Sequence, residues 1–344
     1  MQYFDLGTID KIQNYRQKQL NNGIFKQLVY SIDEIQTLPQ SIREKIKSKL
    51  SFPSLRQVKE AQSQDKSALK VLLECLDGKQ IESVLLSHED GRKTVCISTQ
   101  IGCPMGCKFC ATGQMGFTRN LTHQEIVDQV LHFARLLAKT EKRISNIVFM
   151  GMGEPLLNLN NVISATEILT DAEQFGIGSR RITLSTVGLI KPMREYFKKF
   201  PQVNLAISLH SANQKKRKLL MPKASTTSID DLIKYIKYHI QKYNRRITLE
   251  YSLIENFNDS PSDAKEIENL IYSVSPDAAK LIHINLIPYN EINGIKFKAS
   301  PRHRVNEFRR VLAELGINAT VRKSLGQDKK AACGMLKTTS KKHK

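Results

Sequence analysis

The chain has 344 residues, of which 40% are hydrophobic and 25% charged, so it can bury a sizeable core and wholesale disorder is excluded. Its net charge of +20 favours a polyanionic partner, above all nucleic acid, although a generally lysine-rich proteome would also account for it. No apolar run approaches the ~18 residues of a membrane span, and the N-terminus lacks an apolar signal core. We therefore expect a cytoplasmic protein with no membrane attachment.

Residues 1–90 differ from the rest of the chain and predict a small α+β accessory domain. The opening is basic and polar and predicts helices, with chain breakers at residues 38–39 and 51–54. Residues 69–87 predict a β-hairpin whose turn is formed by Asp77 and Gly78.

Residues 91–325 alternate between strand and helix patterns, with β-branched strands and amphipathic helices. The predicted strands are 94–100, 146–150, 181–187, 203–209, 246–254, 282–288 and 318–322. The predicted helices are 121–138, 162–175, 192–200, 229–243, 262–273 and 301–315, the first opened by a capping box of Thr122 and Glu125. Because no glycine-rich dinucleotide turn follows the first strand, this α/β pattern favours a partial (β/α)6 barrel over a doubly wound sheet. Residues 326–344 form a C-terminal segment, whose basic tail we expect to be solvated.

Three cysteines in one loop give the strongest chemical signal. Cys103, Cys107 and Cys110 follow the first predicted barrel strand with C-x₃-C-x₂-C spacing. Thiolates bind iron–sulfur clusters or zinc, but a structural zinc site needs four protein ligands and this loop has three. The shortfall favours a cubane cluster with one iron open to another ligand. Zinc completed by a distant cysteine is the alternative.

Further polar and glycine residues lie at or just beyond the ends of predicted strands, which is the catalytic face of a β/α barrel. They are Gly153, Glu154, Ser185, Ser208, Leu209, His210 and Asn290. The glycine permits close backbone approach to a ligand, and the Glu154 carboxylate can accept a hydrogen bond from an ammonium group. For any single one of these positions, an ordinary turn residue is the better interpretation.

The cysteine loop resembles that of the radical S-adenosylmethionine (AdoMet) enzymes. The ordered motifs CxxxCxFCATG, MGMGEPLLNLNNV, RRITLSTVG, LAISLH, INLIPYN and AACG together resemble the RlmN/Cfr family of RNA adenine methyltransferases. The resemblance covers about residues 81–336 and implies a radical-SAM barrel with one [4Fe–4S] cluster on the three cysteines. It also implies that the open iron and the strand-end residues bind AdoMet, which yields a 5′-deoxyadenosyl radical on reduction.

The resemblance also implies roles for three residues outside that loop. Cys333, in AACG, matches the methyl-carrying cysteine, Cys96 the resolving cysteine, and Glu82 the proton acceptor. Two AdoMet molecules are implied per turnover, with a transient disulfide between Cys96 and Cys333. Without the resemblance, Cys96 would be a buried strand thiol and Glu82 a solvated carboxylate; Cys75 matches nothing, and we expect it to be structural. A basic neighbourhood is expected to favour the Cys333 thiolate, supplied by Arg322, Lys323, Lys329 and Lys330.

The implied reaction is methylation at C2 of an adenosine in 23S rRNA, and of the adenosine next to the anticodon of some tRNAs. Cfr-like methylation at C8 is the alternative, against which Pro155 resembles RlmN. A reductant system and a monomeric state are expected. A radical AdoMet enzyme acting on a protein or small molecule and a non-catalytic RNA-binding protein are the rival interpretations. The basic stretches 214–218 and 327–330 depart from the family pattern and indicate either RNA affinity or a solvated helix face.

Overall fold

The computed structural model describes residues 1–6, 14–275 and 280–338, so the end of the predicted basic tail lies outside the described residues. The strands within these ranges are, in order, β1 (Leu55–Gln62), β2 (Ala68–Cys75), β3 (Gln80–Ser87), β4 (Lys93–Cys96), β5 (Gln100–Gly102), β6 (Phe117–Asn120), β7 (Asn146–Phe149), β8 (Ile182–Thr186), β9 (Asn204–Ser208), β10 (Ile247–Leu253), β11 (Ile282–Pro288) and β12 (Ala319–Val321). The α-helices are α1 (Asn14–Asn21), α2 (Gln40–Lys49), α3 (Ala111–Gln114), α4 (His123–Ala138), α5 (Leu159–Thr170), α6 (Ile190–Lys199), α7 (Gln214–Leu220), α8 (Ile229–Tyr243), α9 (Pro261–Val274) and α10 (Arg302–Glu314).

A ten-stranded sheet organises the described part of the molecule, in the order β1-β2-β3-β4-β7-β8-β9-β10-β11-β12. The strands from β4 onwards are parallel to one another. Each successive parallel pair is connected through a helix, because parallel strands need a crossover; the crossovers contain α4, α5, α6, α8, α9 and α10. The predicted α/β architecture, a partial barrel with strand–helix units, is confirmed.

The first barrel strand is shorter than the predicted 94–100. β4 ends at Cys96, and Gln100 instead pairs with Asn120 in the two-stranded ribbon formed by β5 and β6. The sequence does not show this change of pairing partner, because residues 94–100 have one continuous strand pattern. Residues buried in a sheet and residues buried beneath a two-stranded ribbon have the same pattern. The ribbon thus begins and ends the loop that carries the three clustered cysteines.

The N-terminal strands extend the same sheet. β2 and β3 form the predicted hairpin, with Gly78 at a φ of 74° in its turn. β1 was not predicted, because residues 56–60 are exposed in succession and show no alternation. β3 pairs with β4, where Val84 faces Cys96, so the sheet is continuous across the predicted domain boundary near residue 90. The division into domains remains a prediction.

Side-chain caps begin α4, α7, α8 and α9. Thr122 and Glu125 form the predicted capping box on α4, and Ile126 and Val130 are fully buried on its inner face. α5 begins at Leu159, three residues before the predicted start, because a 3₁₀ turn opened by Glu154 leads directly into it. Among the described residues, no helix combines the length and apolar character that crossing a membrane requires.

Candidate active site

A cavity of about 960 Å³, partly open to solvent, lies at the C-terminal ends of the parallel strands, where a β/α barrel carries its active site. The predicted residues that line it are Cys103, Cys107, Cys110, Gly153, Glu154, Ser185, Ser208, His210, Asn290 and Cys333. Three predicted residues are absent from its lining: Leu209, which is buried in the hydrophobic core, and Cys96 and Glu82, which lie behind it in the sheet. The fold therefore assembles most of the predicted site in one place.

The cysteine loop is fixed by backbone hydrogen bonds at both ends. The Cys103 N–H donates to the Gly116 carbonyl across the ribbon at 2.8 Å, and the Lys108 N–H donates to the Leu220 carbonyl at the end of α7, also at 2.8 Å. Gly102 has a φ of 74°, and a Cβ there would lie 2.0 Å from the Gly116 oxygen, so only glycine fits. The loop is consequently held in place by the ribbon and α7.

The three thiols of this loop share one partly buried environment. Burial raises the pKa of Cys103 to about 12 and raises the pKa of Cys107 and Cys110 as well. The charge of the Cys110 thiolate adds to the rise at Cys103 and Cys107. Three thiolates can coexist here only with a bound cation, which deprotonates coordinating thiols outright.

The donor set fits a cluster better than a single ion. Among the described residues, no three His, Cys, Asp or Glu side chains converge closely enough to hold one metal ion. A four-iron cluster is larger than an ion, so its thiolate ligands stand further apart. Three soft donors around one cavity therefore fit an iron–sulfur cluster and give no support to the zinc alternative.

Glu154 is a carboxylate held rigidly at the cavity edge. Its two oxygens accept hydrogen bonds from the backbone N–H groups of Leu156 (3.1 Å) and Val187 (2.9 Å). Burial raises its pKa to about 7, although these hydrogen bonds act in the opposite direction. Gly153 has a φ of 102°, and a Cβ there would lie 2.6 Å from the Cβ of Gln100, so the turn can pack against that side chain only as glycine. The arrangement presents a carboxylate suited to an ammonium group.

His210 is buried at the same level of the barrel. Its Nδ1 accepts a hydrogen bond from the Ser252 N–H at 3.0 Å, so the neutral ring carries its proton on Nε2. Burial, and then the charge of Arg217, lower its pKa to about 3. Its ring lies 4.6 Å from that of Phe109 in the cysteine loop, in an edge-on contact. His210 is therefore a neutral donor between the loop and the strand ends.

Cys333 reaches the cavity on a C-terminal segment, residues 326–338, that docks across it. Asn290 bridges the segment, donating from Nδ2 to the Cys333 carbonyl at 3.0 Å and accepting from Gln327 Nε2 at 2.6 Å. The Ala111 N–H, directly after the third loop cysteine, donates to the Gly334 carbonyl at 2.7 Å. The predicted ligand contact Asn290 thus also positions the segment that carries Cys333.

Cys96 and Glu82 lie next to this segment. Burial raises the pKa of Cys96 to about 12, and the charge of Cys333 adds to the rise. The Glu82 carboxylate is buried, pairs with Lys70 Nζ at 2.8 Å, and accepts from the Lys337 N–H at 2.8 Å. The interpretation of Glu82 as a solvated strand carboxylate is therefore wrong.

Arg322 is a cation that interacts with Cys333 and Cys96. It lines the cavity, and its pKa is raised chiefly by the charge of the Cys333 thiolate, with further contributions from Glu250 and Cys96. Of the other three predicted basic neighbours, Lys323 pairs with Glu89. Lys329 lies 4.0 Å from Asp328, and the structure gives no cavity-lining position to Lys330.

Glu250 is a cavity residue that the sequence analysis missed. It is 5% exposed, lies on β10, and accepts from Asn285 Nδ2 on β11 at 2.7 Å. Burial raises its pKa, while Arg322 opposes the rise. The sequence contains one signal for it, a single acidic residue within the strand ITLEYSL. Charged residues are rarely buried without a partner, so an acidic residue in such a strand indicates a site.

Comparisons with known proteins agree with this geometry. Residues 97–266 match the family described as the Radical SAM superfamily. The chain is 40% identical over 331 residues to the ribosomal RNA large subunit methyltransferase N of Nitrosopumilus maritimus (strain SCM1), covering 94% of this chain and 92% of that protein. It is also 40% identical over 331 residues to a probable dual-specificity RNA methyltransferase RlmN of Dictyoglomus turgidum (strain DSM 6724 / Z-1310), covering 96% and 92%. The crystal structure of a radical SAM methyltransferase from Sphaerobacter thermophilus superposes with a TM-score of 0.92 at 38% identity, covering 98% of both chains.

Proposed function

Because this chain belongs to the RlmN family of radical SAM RNA methyltransferases, we propose that it methylates C2 of an adenosine in 23S rRNA through a methylated Cys333. One observation supports this most strongly: the cavity brings Cys333 together with the cysteine loop and Glu154. The name of the Dictyoglomus turgidum relative includes dual specificity. We extend the proposal to the adenosine next to the anticodon of some tRNAs.

The cavity residues divide the work of holding the cofactors. Cys103, Cys107 and Cys110 would hold the [4Fe–4S] cluster, which with AdoMet supplies the radical chemistry when both are bound. Glu154 would accept from the AdoMet ammonium group, with Gly153, Ser185, Ser208, His210 and Asn290 around it. Leu209 would contribute through its backbone only, since its side chain lies in the core. Two AdoMet molecules are used per turnover, one to methylate Cys333 and one for the radical.

The Cys333 sulfur is the nucleophile in the first half of the proposed reaction and the electrophile in the second. Its thiolate, attracted by Arg322, would attack the methyl carbon of AdoMet, so that a bond to the Cys333 sulfur forms as the methyl–sulfonium bond breaks and S-adenosylhomocysteine leaves. Once the methyl carbon is bonded to adenine, the Cys96 thiolate attacks the Cys333 sulfur. An S–S bond forms as the S–C bond breaks, and the bond electrons remain with the product. The transient disulfide must then be reduced before the next turnover.

Glu82 is the proposed acceptor of the proton that leaves the adenine ring. In the structure its carboxylate already accepts from the Lys337 N–H and pairs with Lys70. We therefore expect the C-terminal segment to release Glu82 when the base enters. This step connects substrate entry with movement of the segment that carries Cys333.

The setting of the reaction follows from the same proposal. Residues 1–90 would bind RNA, and the exposed strand β1 offers Arg56 and Lys59 on its surface. An external low-potential reductant would supply electrons to the cluster. We propose that the enzyme acts as a monomer in the cytoplasm.

Nucleoside analysis tests the proposal. The reconstituted enzyme is incubated anaerobically with AdoMet, a reductant and either a 23S rRNA fragment or tRNA, and the digested RNA is examined by mass spectrometry. We expect 2-methyladenosine, absent with Cys333→Ala. Sole formation of 8-methyladenosine would replace the assignment with the Cfr-like alternative. A reconstituted, AdoMet-cleaving enzyme that methylates neither RNA would instead favour a radical AdoMet enzyme with another substrate.

A further inference from the structure

One arginine of the basic stretch 214–218 is completely buried beneath the cysteine loop. Arg217, on α7, is 0% exposed, whereas its neighbour Lys218 is exposed and Lys216 pairs with Asp263 at 2.6 Å. The stretch is therefore neither wholly a solvated helix face nor wholly a surface for RNA. A charge buried to this degree is costly and requires an explanation.

The guanidinium of Arg217 is held by backbone carbonyls. Its Nη2 donates to the Val187 carbonyl at 2.6 Å, and its Nη1 donates to the carbonyls of Ala224 (3.2 Å) and Thr227 (3.3 Å). Its Nε has no hydrogen-bond partner among the described residues. Within that same part of the chain, no Asp or Glu side chain forms an ion pair with it, so the positive charge is solvated by dipoles but not neutralised.

The cysteine loop packs against the residues that hold Arg217, because Val187 and Ala224 belong to a buried cluster against which Cys103 and Cys107 pack. The charge of the Cys107 thiolate acts to raise the pKa of Arg217, against burial, which lowers that pKa to about 10. The same helix contacts the loop directly, because the Leu220 carbonyl accepts from the Lys108 N–H at 2.8 Å. Arg217 is not among the residues that line the cavity, so its side chain is not placed to contact a cofactor bound there.

We infer that Arg217 is a fixed buried cation that raises the reduction potential of the cluster carried by Cys103, Cys107 and Cys110. Reduction transfers one electron from an external low-potential reductant to the cluster, and no bond forms or breaks. A cation beside the thiolates stabilises the reduced state more than the oxidised state, because the reduced state has one more negative charge. Arg217 thus acts on the cluster through its positive charge and does not coordinate it. The inference rests on the family's cluster but not on the identity of the RNA.

A redox titration followed by electron paramagnetic resonance tests the inference on the reconstituted full-length enzyme, poised with dithionite and mediator dyes. At the potential that half-reduces the wild-type cluster, we expect the reduced-to-oxidised ratio in Arg217→Gln to fall about tenfold, equivalent to about 59 mV for a one-electron couple. Arg217→Lys, which keeps the charge, should restore most of the ratio. Lys218→Gln is the matched control, because it removes a unit charge from the same helix at an exposed position, and it should leave the ratio unchanged.

Iron content separates an effect on the potential from damage to the loop. Arg217→Met provides a second uncharged variant with better packing, should Arg217→Gln fail to bind iron. An uncharged variant with full iron content and the wild-type midpoint would overturn the inference. Loss of iron from both uncharged variants would also overturn it, because Arg217 would then support only the loop structure. Since no RNA is present, failure of the methylation proposal would not affect this measurement.

Discussion

Arg217 and Arg322 both interact electrostatically with cysteines, but their charges are balanced in different ways. Arg322 lines the cavity and interacts with Cys333, Cys96 and the Glu250 carboxylate. Arg217 is held by backbone carbonyls and is affected by the charge of Cys107. In the proposed reaction, the cysteines near Arg322 would gain and lose their charge during turnover, so a carboxylate that limits the attraction of Arg322 would be useful. The proposed ligand Cys107 would stay ionised, so the charge of Arg217 could remain without a carboxylate partner.

Removal of a proposed cluster ligand should have the largest effect on iron binding and activity. It also removes the thiolate whose charge acts on Arg217. We expect Cys107→Ala to reduce bound iron and RNA methylation to background, since the loop has only three ligands for the cluster. Iron quantification and AdoMet cleavage measure this. Cys75→Ala is the control, because it also removes a thiol, but one that is buried and lies outside the cavity lining. A full complement of iron in Cys107→Ala would contradict the ligand assignment.

Loss of the Arg322 charge should slow the chemistry of Cys333. With Arg322→Gln, we expect alkylation of Cys333 by iodoacetamide at pH 7.5 to be about tenfold slower, an interaction of about 1.4 kcal/mol between the guanidinium and the thiolate. Peptide mass spectrometry follows the rate at this one cysteine. Lys323→Gln is the matched control, as the Lys323 side chain is 75% exposed and directed to Glu89. Equal rates in wild type and Arg322→Gln would remove the distinction between the two arginines.

Loss of the Glu250 carboxylate should have a smaller effect in the opposite direction. Glu250→Gln retains a hydrogen-bonding group for Asn285 but no longer competes for Arg322, so we expect Cys333 to be alkylated about threefold faster. The double variant with Arg322→Gln should show no such gain, because the carboxylate acts through the guanidinium. A gain of the same size in the double variant would show that Glu250 acts on Cys333 directly.

Replacement of His239 should have the smallest effect on the cavity. It measures how burial alone, away from the cavity, changes the pH dependence of stability. Burial, and then the charge of Arg245, lower its pKa to about 4. Its folded pKa is therefore below the unfolded value of about 6.5, so its contribution to stability is complete above pH 6.5 and is lost as the pH falls towards 4. Between pH 7.5 and 5, we expect wild type to lose about 2 kcal/mol more than His239→Phe.

Urea unfolding of both proteins without the cluster measures that difference, and reconstituted samples of both should methylate RNA equally. The phenyl ring of the variant keeps the contact with Phe197, whose ring lies 5.0 Å from that of His239. Identical pH dependence in the two proteins would mean that His239 titrates normally in the fold.

Much of the fold was predictable because its signals are local. Capping by Thr122 and Glu125 and the Asp77-Gly78 turn are determined by a few neighbouring residues. The end of β4 and the existence of β1 were not predictable, since each depends on which distant strand pairs with those residues. Local propensity carries no information about the choice of partner.

The candidate site divides in the same way. Cavity residues that belong to a sequence motif, such as Cys103 and Glu154, could be predicted, because the spacing of the motif indicates a loop or the end of a strand. Arg217 was grouped with solvated lysines, and Glu250 was overlooked, because burial of a charge follows from packing of several elements. Leu209 shows the reverse error, as a motif neighbour whose side chain belongs to the core.

The unbroken sheet has a consequence for how a long RNA could be handled. β3 pairs with β4 directly beside Cys96, and Ser54 ahead of β1 is bonded to Asp128 of the barrel helix α4 through both its N–H and its hydroxyl, each at 2.6 Å. The proposed RNA-binding region is therefore joined to the barrel by strand pairing and by buried hydrogen bonds as well as by the chain. If residues 1–90 bind RNA as proposed, these contacts would set the distance between the bound RNA segment and the base that reacts. An RNA whose target base lies at a different distance would then have to bend.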